Sequence, residues 1–122
     1  MENELLFTKT HEWIKWLNEE KTEAYIGLSK YATENLGDIV YVNIDKENVE
    51  KGEQLGDIES VKAVSDLFSP FTGLVSQVNE KVLNNPGLIN VQPEDFWICK
   101  IVDIKDSEEL FTKEEYDKLE KE

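Results

Sequence analysis

The chain has 122 residues, with 13 Lys and Arg against 27 Asp and Glu, and a formal charge of −14. That charge excludes partners recognised through a basic surface, so neither nucleic acid nor an anionic membrane face fits. It suits a self-repelling, soluble protein whose protein partners carry basic patches. A hydrophobic fraction of 39% supplies one modest core, as expected for a single domain over residues 1–122.

In chain order, WIKWL (13–17) and EAYIGL (23–28) read as strands around the polar turn NEEKT, with Ala24, Ile26 and Leu28 on one face. Ser29 caps a short helix, KYATENL, and Gly37 stops it. IVYVNI (39–44) alternates, placing Val40, Val42 and Ile44 on one side and Tyr41 and Asn43 on the other. ENVEKGE is a polar link. ESVKAVSD (59–66) predicts a hairpin that turns at 60–63 and carries Lys62 at its tip. SPFTG (69–73) reads as a Pro/Gly turn, and LVSQVN resumes a strand with Leu74 and Val78 on one face. NEKVLNNPG holds one helical turn before Pro86-Gly87. FWICKIVDI (96–104) is the last long strand, with Cys99 as a buried strand residue. Thr112 and Glu115 form a capping box that opens a short acidic helix, KEEYDKLEK, within a C-terminal helical appendage of about 106–122. LGDI occurs at 36–39 and again at 55–58, a weak sign of two similar β-halves packed face to face. The pattern is mainly β, with short helices and a helix last.

Most enzyme chemistries find no residues here. One histidine, His11, and one cysteine, Cys99, do not make a zinc site, and no carboxylate spacing singles out a metal set. No glycine-rich phosphate loop is present. A single cysteine excludes an internal disulfide. MENELLFT has neither a basic start nor a long apolar run, and no stretch approaches membrane-spanning length. With Met1 as the natural start, the expected location is cytoplasmic. Acids at Asp57, Glu59 and Asp66 favour a charged Lys62 over a Schiff-base amine. A tight turn with small neighbours, Ser60 and Ala63, instead makes Lys62 a handle for a modifying enzyme, marked by the flanking acids.

ESVKAVSD resembles the lipoyl-attachment segment of the glycine cleavage system H proteins. THEWIK, YIGLSKYATENLGDIVYVNI, SPFTGLVSQVNE, the stretch from NNPGLIN to FWICKI, and the acidic tail resemble that family in its order. Biotin carriers usually flank their lysine with methionines, where this chain has Val61 and Ala63. INVQPEDFW departs from the family pattern, being shorter than its usual loop. The resemblance implies a flattened lipoyl/biotinyl-type barrel-sandwich hybrid and lipoic acid in amide linkage to Lys62. It implies a non-catalytic, monomeric shuttle. Such a carrier takes an aminomethyl group from a pyridoxal-phosphate glycine decarboxylase to a folate-dependent aminomethyltransferase, and electrons to dihydrolipoyl dehydrogenase. A lipoate ligase or lipoyl/octanoyl transferase would load the arm, with Glu59 in its recognition. On the same basis Glu12 and Asp66 line a cleft that holds the loaded amine, and Thr10 adds a neutral contact. Trp13, Trp16 and Trp97 are read as core. The alternatives are a lipoate donor, a lipoyl domain of a 2-oxoacid dehydrogenase, and a non-lipoylated interaction module. An enzyme in its own right ranks behind these.

Overall fold

The computed structural model describes residues 4–119. The strands are β1 (Leu6–Phe7), β2 (Glu12–Trp16), β3 (Ala24–Leu28), β4 (Ile39–Ile44), β5 (Asn48–Val49), β6 (Gln54–Ser60), β7 (Val64–Phe68), β8 (Phe71–Val78) and β9 (Cys99–Ser107). The helices are α1 (Lys30–Leu36), α2 (Glu80–Asn84), α3 (Leu88–Val91) and α4 (Lys113–Lys118). One antiparallel sheet runs β1-β2-β3-β9-β8-β5, and a second runs β4-β6-β7. A shared core lies between them. Ile14, Ile26, Phe71 and Ile101 come from the larger sheet, Val42, Leu55, Ile58 and Leu67 from the smaller, and Val82 and Ile89 from α2 and α3. A second cluster of Phe7, Trp13 and Tyr116 fastens α4 to the β1–β2 hairpin.

Local chemistry sets several boundaries as expected. The Ser29 hydroxyl accepts from the Ala32 amide and caps α1, and Gly37 ends that helix at φ 79°. Left-handed backbone of this kind disfavours a side chain, which is why glycine sits there. Thr112 and Glu115 complete the capping box of α4. Residues 120 and 121 of the expected tail helix lie outside the described residues. The tail is docked: Phe111 and Phe7 exchange two 2.8 Å backbone hydrogen bonds, and Tyr116 stacks on Phe7 with ring centroids 4.6 Å apart.

Elsewhere non-local pairing overrides the sequence pattern. A bulge between Ile39 and Tyr41 breaks the β4 alternation, so Ile39 and Val42 are buried while Val40 is 51% exposed. A second irregularity, between Val75 and Gln77, flips the parity of β8. Val75 then pairs with Ile101 and Val78 with Cys99, whereas Leu74 lies across from Val102, so Leu74 and Val78 do not share a face. β8 begins at Phe71, within the expected SPFTG turn, and the last strand runs 99–107 rather than 96–104. The two LGDI copies adopt different structures. Residues 36–39 are a helix end, its glycine stop and a strand start, whereas 55–58 is continuous strand. The echo therefore marks no structural repeat. Trp13 lies against Gly27, across the β2–β3 pair, and its indole Nε1 donates to the Pro93 carbonyl at 2.8 Å. That bond pins the short loop before Trp97. Trp97 itself stacks on Tyr25 at 4.4 Å, and Trp16 tilts against Phe71.

Gly56 lies in the middle of the smaller sheet, where an added Cβ would fall 1.9 Å from the Asn43 carbonyl oxygen. Gly56→Ala should cost about 3 kcal/mol of unfolding free energy, because rigid backbone has to move. Gly87→Ala meets nothing nearer than 3.7 Å and should stay within about 1 kcal/mol of wild type. Denaturant titration of both variants checks this; equal stabilities would contradict the packing described.

Candidate functional site

Lys62 sits at the tip of the β6–β7 hairpin and is exposed. Its turn is held by one hydroxyl. Ser60 Oγ accepts from the Lys62 amide at 3.2 Å and the Ala63 amide at 3.0 Å, while the Ser60 amide donates to the Ala63 carbonyl at 2.8 Å. Neither Val61 nor Lys62 has the positive φ that the usual two-residue hairpin turn needs, so the side chain closes the turn instead. The tip is also tied sideways, the Val61 amide donating to the Asp38 carbonyl at 3.0 Å. Asn90 locks that junction. Its Oδ1 accepts from the Ile39 amide at 2.8 Å and its Nδ2 donates to the Gly37 carbonyl at 2.9 Å. A Cβ at Gly37 would stand 3.4 Å from Lys62 Cε, so the lysine stem runs over the bare end of α1. None of the ion pairs among the described residues involves Lys62.

The outer face of the smaller sheet flanks this handle. Tyr41, Glu59 and Val64 lie directly across from one another, and Asn43, Asp57 and Asp66 form the next row. Residues opposed in this way share a face. Tyr41, Val64 and, at the tip, Val61 are exposed. Asp57 and Asp66 face each other with no basic residue between them, an unfavourable pairing for two like charges.

The other predicted residues collect at the β1–β2 turn. Glu12 is 1% exposed. Its Oε1 accepts from the hydroxyls of Thr8 and Thr10, each at 2.5 Å, and its Oε2 accepts from the Phe68 amide on β7 at 3.2 Å. The Glu12 amide donates in turn to Thr8 Oγ1 at 3.0 Å. Thr8 is buried and Thr10 exposed, so Thr10 forms the outer lip of the carboxyl's seat. Burial raises the Glu12 pKa to about 7, against the pull of these donors. Asp66 takes a different partner, accepting from Gln54 Nε2 at 3.1 Å, and it is exposed. Glu12 and Asp66 thus lie on separate hydrogen-bond sets, linked through β7. Glu59 stands on the outer sheet face beside the lysine turn.

α1 connects the two places. Its cap, Ser29, donates its amide to the His11 carbonyl at 3.0 Å, and its far end, Gly37, meets the Lys62 stem. At roughly 1.5 Å per residue the helix spans about 12 Å from its serine cap to its glycine stop. Cys99, buried in β9, has its thiol pushed up to about 12 by burial, with Glu12 adding to the shift, and is inert as a nucleophile. Among the described residues no three His, Cys, Asp or Glu side chains cluster as a metal site. No helix among them is long and apolar enough to cross a membrane. Sequence reasoning missed Thr8, Asn90 and Tyr116. Thr8, two residues before Thr10, was the most accessible of these, since the same face of one turn carries both hydroxyls.

A family model described as glycine cleavage H-protein matches residues 5–122. The chain belongs to the glycine cleavage H-protein family. It is 46% identical over 117 residues to the glycine cleavage system H protein of Lachnoclostridium phytofermentans, covering 94% of this chain and 91% of that one. With the counterpart from Listeria innocua it shares 40% over 120 residues, 94% of each chain. The crystal structure of a glycine cleavage system H protein from Mycobacterium marinum superposes with a TM-score of 0.84 at 33% identity, covering 95% of both chains. The two-sheet architecture is therefore the flattened barrel-sandwich of the H-proteins. An H-protein is a lipoyl-bearing carrier and not a catalytic enzyme.

Glu12 generates a pH dependence whose sign follows from its raised pKa. The folded chain binds the Glu12 proton more tightly than the unfolded chain does. The group's contribution to stability is therefore full below about pH 4.5 and is lost as the pH rises to about 7. The slope over that window is at most about 1.4 kcal/mol per pH unit. The difference between the unfolding profiles of wild type and Glu12→Gln should show this fall and flatten above pH 7. A difference flat from pH 4 to 8 would contradict the burial assigned to Glu12.

Proposed function

We propose that Lys62 is the lipoyl attachment site and that residues 1–122 act as one shuttle domain of glycine cleavage. The observation that carries this is the turn itself: an exposed lysine on a two-residue tip, braced by Ser60, Asp38 and Asn90. A braced tip presents one amine in a fixed place, which is what an acylating enzyme has to find. Small or exposed neighbours, Ser60, Ala63 and Val61, leave room around it. Amide formation there suits lipoic acid, whose dithiolane end would supply reversible thiol–disulfide chemistry and a sulfur to which an aminomethyl group is transferred.

The chain's own residues then do two things. Glu59, Asp57 and Asp66, with Tyr41 and Val64, offer a face that is acidic with an apolar centre. It fits partners with basic rims: a lipoate ligase or lipoyl/octanoyl transferase, glycine decarboxylase, the folate-dependent aminomethyltransferase and dihydrolipoyl dehydrogenase. These reactions fit a cytoplasmic monomer.

Glu12 receives the cargo amine. A carboxylate has about four acceptor positions, and three are used by Thr8, Thr10 and Phe68. One remains. A buried carboxylate without a counter-charge is costly, and a cationic amine supplies that charge. The cargo therefore lowers the Glu12 pKa from about 7 and fixes the carboxylate form. Thr10 covers the seat against water, and Asp66 adds negative potential from β7.

Intact mass after incubation with lipoate, ATP and a lipoate ligase tests the attachment. One lipoyl increment is expected, absent in Lys62→Ala, with a several-fold lower kcat/KM for the ligase on Glu59→Gln. No increment under conditions that modify another lipoyl domain would overturn the assignment and leave the non-lipoylated interaction module.

A further inference from the structure

The turn that carries the Glu12 seat contains an energetic oddity. Thr8 and Glu12 close a three-residue loop. The His11 amide donates to the Thr8 carbonyl at 3.1 Å, and the Thr8 amide donates to the Glu12 carbonyl at 2.9 Å. Loops of this kind end in a left-handed residue, usually glycine. Here the residue is His11, at φ 77°. A side chain at that conformation is strained and persists only where its surroundings hold it.

Those surroundings centre on the C-terminal helix. His11 Nδ1 is hydrogen-bonded to the Tyr116 hydroxyl at 2.7 Å, and the same hydroxyl is 2.9 Å from Ser29 Oγ, the cap of α1. The His11 ring lies edge-on to Tyr116 and tilts against Tyr31 of α1. Its carbonyl accepts from the Ser29 amide. Tyr116 is itself buried to 2% exposure and stacked on Phe7, so its hydroxyl has a fixed position. His11 stands between Thr10, the lip, and Glu12, the carboxyl. Its backbone angle sets the direction of both.

We propose that Tyr116 is a positioning residue for the Glu12 seat. Through His11 and Ser29 it holds the β1–β2 turn in its left-handed form, and so aims the Glu12 carboxyl at the Phe68 amide. The C-terminal helix is thereby part of the cargo site, although it touches no cargo. A glycine would fill the turn without strain; the histidine is there because it gives Tyr116 something to grip. The functional meaning rests on the cargo role of Glu12 proposed above, but the positioning is measurable without any cargo.

Amide hydrogen exchange on the full chain, without lipoate, is the test. Tyr116→Phe keeps the ring stacked on Phe7 and removes only the hydroxyl. Exchange of the Phe68 and Glu12 amides, whose acceptors are the Glu12 carboxyl and Thr8 Oγ1, should accelerate about tenfold or more, while the Ile26 and Ile101 amides are unchanged. In the double variant His11→Gly/Tyr116→Phe, where glycine holds the left-handed form without the grip, protection of both amides should return. Three results overturn the proposal: Phe68 and Glu12 protected in Tyr116→Phe as in wild type, the double variant exchanging as fast as Tyr116→Phe, or all amides accelerating together, which marks a general loss of stability. Cargo retention in Glu12→Gln is a separate reading, so the positioning and the cargo role fail independently.

Discussion

A carboxyl group buried between two sheets is the constraint around which this molecule is arranged. Glu12 opens β2 in the six-stranded sheet, and its Oε2 takes the backbone amide of Phe68 from the three-stranded one. Left without donors, such a group would oppose folding by several kcal/mol. Two threonine hydroxyls and one amide offset that cost, so Thr8, Thr10 and the end of β7 must all be in place together. The requirement spreads outward. The turn that brings both threonines to one oxygen needs a left-handed residue, and the C-terminal helix and the α1 cap hold it there.

The same arrangement separates two tasks that a carrier must combine. In the proposed role the lysine has to reach other proteins, and it stands on a tip where no ion pair among the described residues restrains it. The proposed cargo seat has to exclude water, and its Glu12 and Thr8 are buried. α1 spaces these two ends, with its serine cap bonded to the seat's turn and its glycine stop under the lysine stem. Because the helix is short and anchored at both ends, the backbone of the lysine turn and that of the Glu12 turn are tied to one rigid element.

What the sequence revealed follows the range of each interaction. Ser29 and Gly37, Thr112 with Glu115, and the turn at 60–63 involve partners a few residues apart, and the structure agrees with each expectation. The resemblance to the H-proteins placed Lys62 and Glu12 in context. The bulges at Ile39–Tyr41 and Val75–Gln77 arise from partner strands and leave no mark in the local pattern. They overturned the faces expected for Val40 and for Leu74 with Val78. The burial of Glu12 beneath Thr8, the role of Asn90 as a lock, and the grip of Tyr116 on His11 span up to 105 residues of chain, beyond any periodicity. Asp66 looked like a companion of Glu12, yet it faces Asp57 and Gln54 because strand pairing, rather than motif, decides where a side chain points.

The most direct measurement is cargo retention. The lipoylated protein is loaded by glycine decarboxylase, separated from it, and followed for release of formaldehyde and ammonia without the folate enzyme. Loss of the charge-assisted contact in Glu12→Gln should speed release by about tenfold or more, with a smaller increase in Asp66→Asn. Release at the wild-type rate in both variants would contradict the claim that the buried carboxyl is the seat of the cargo.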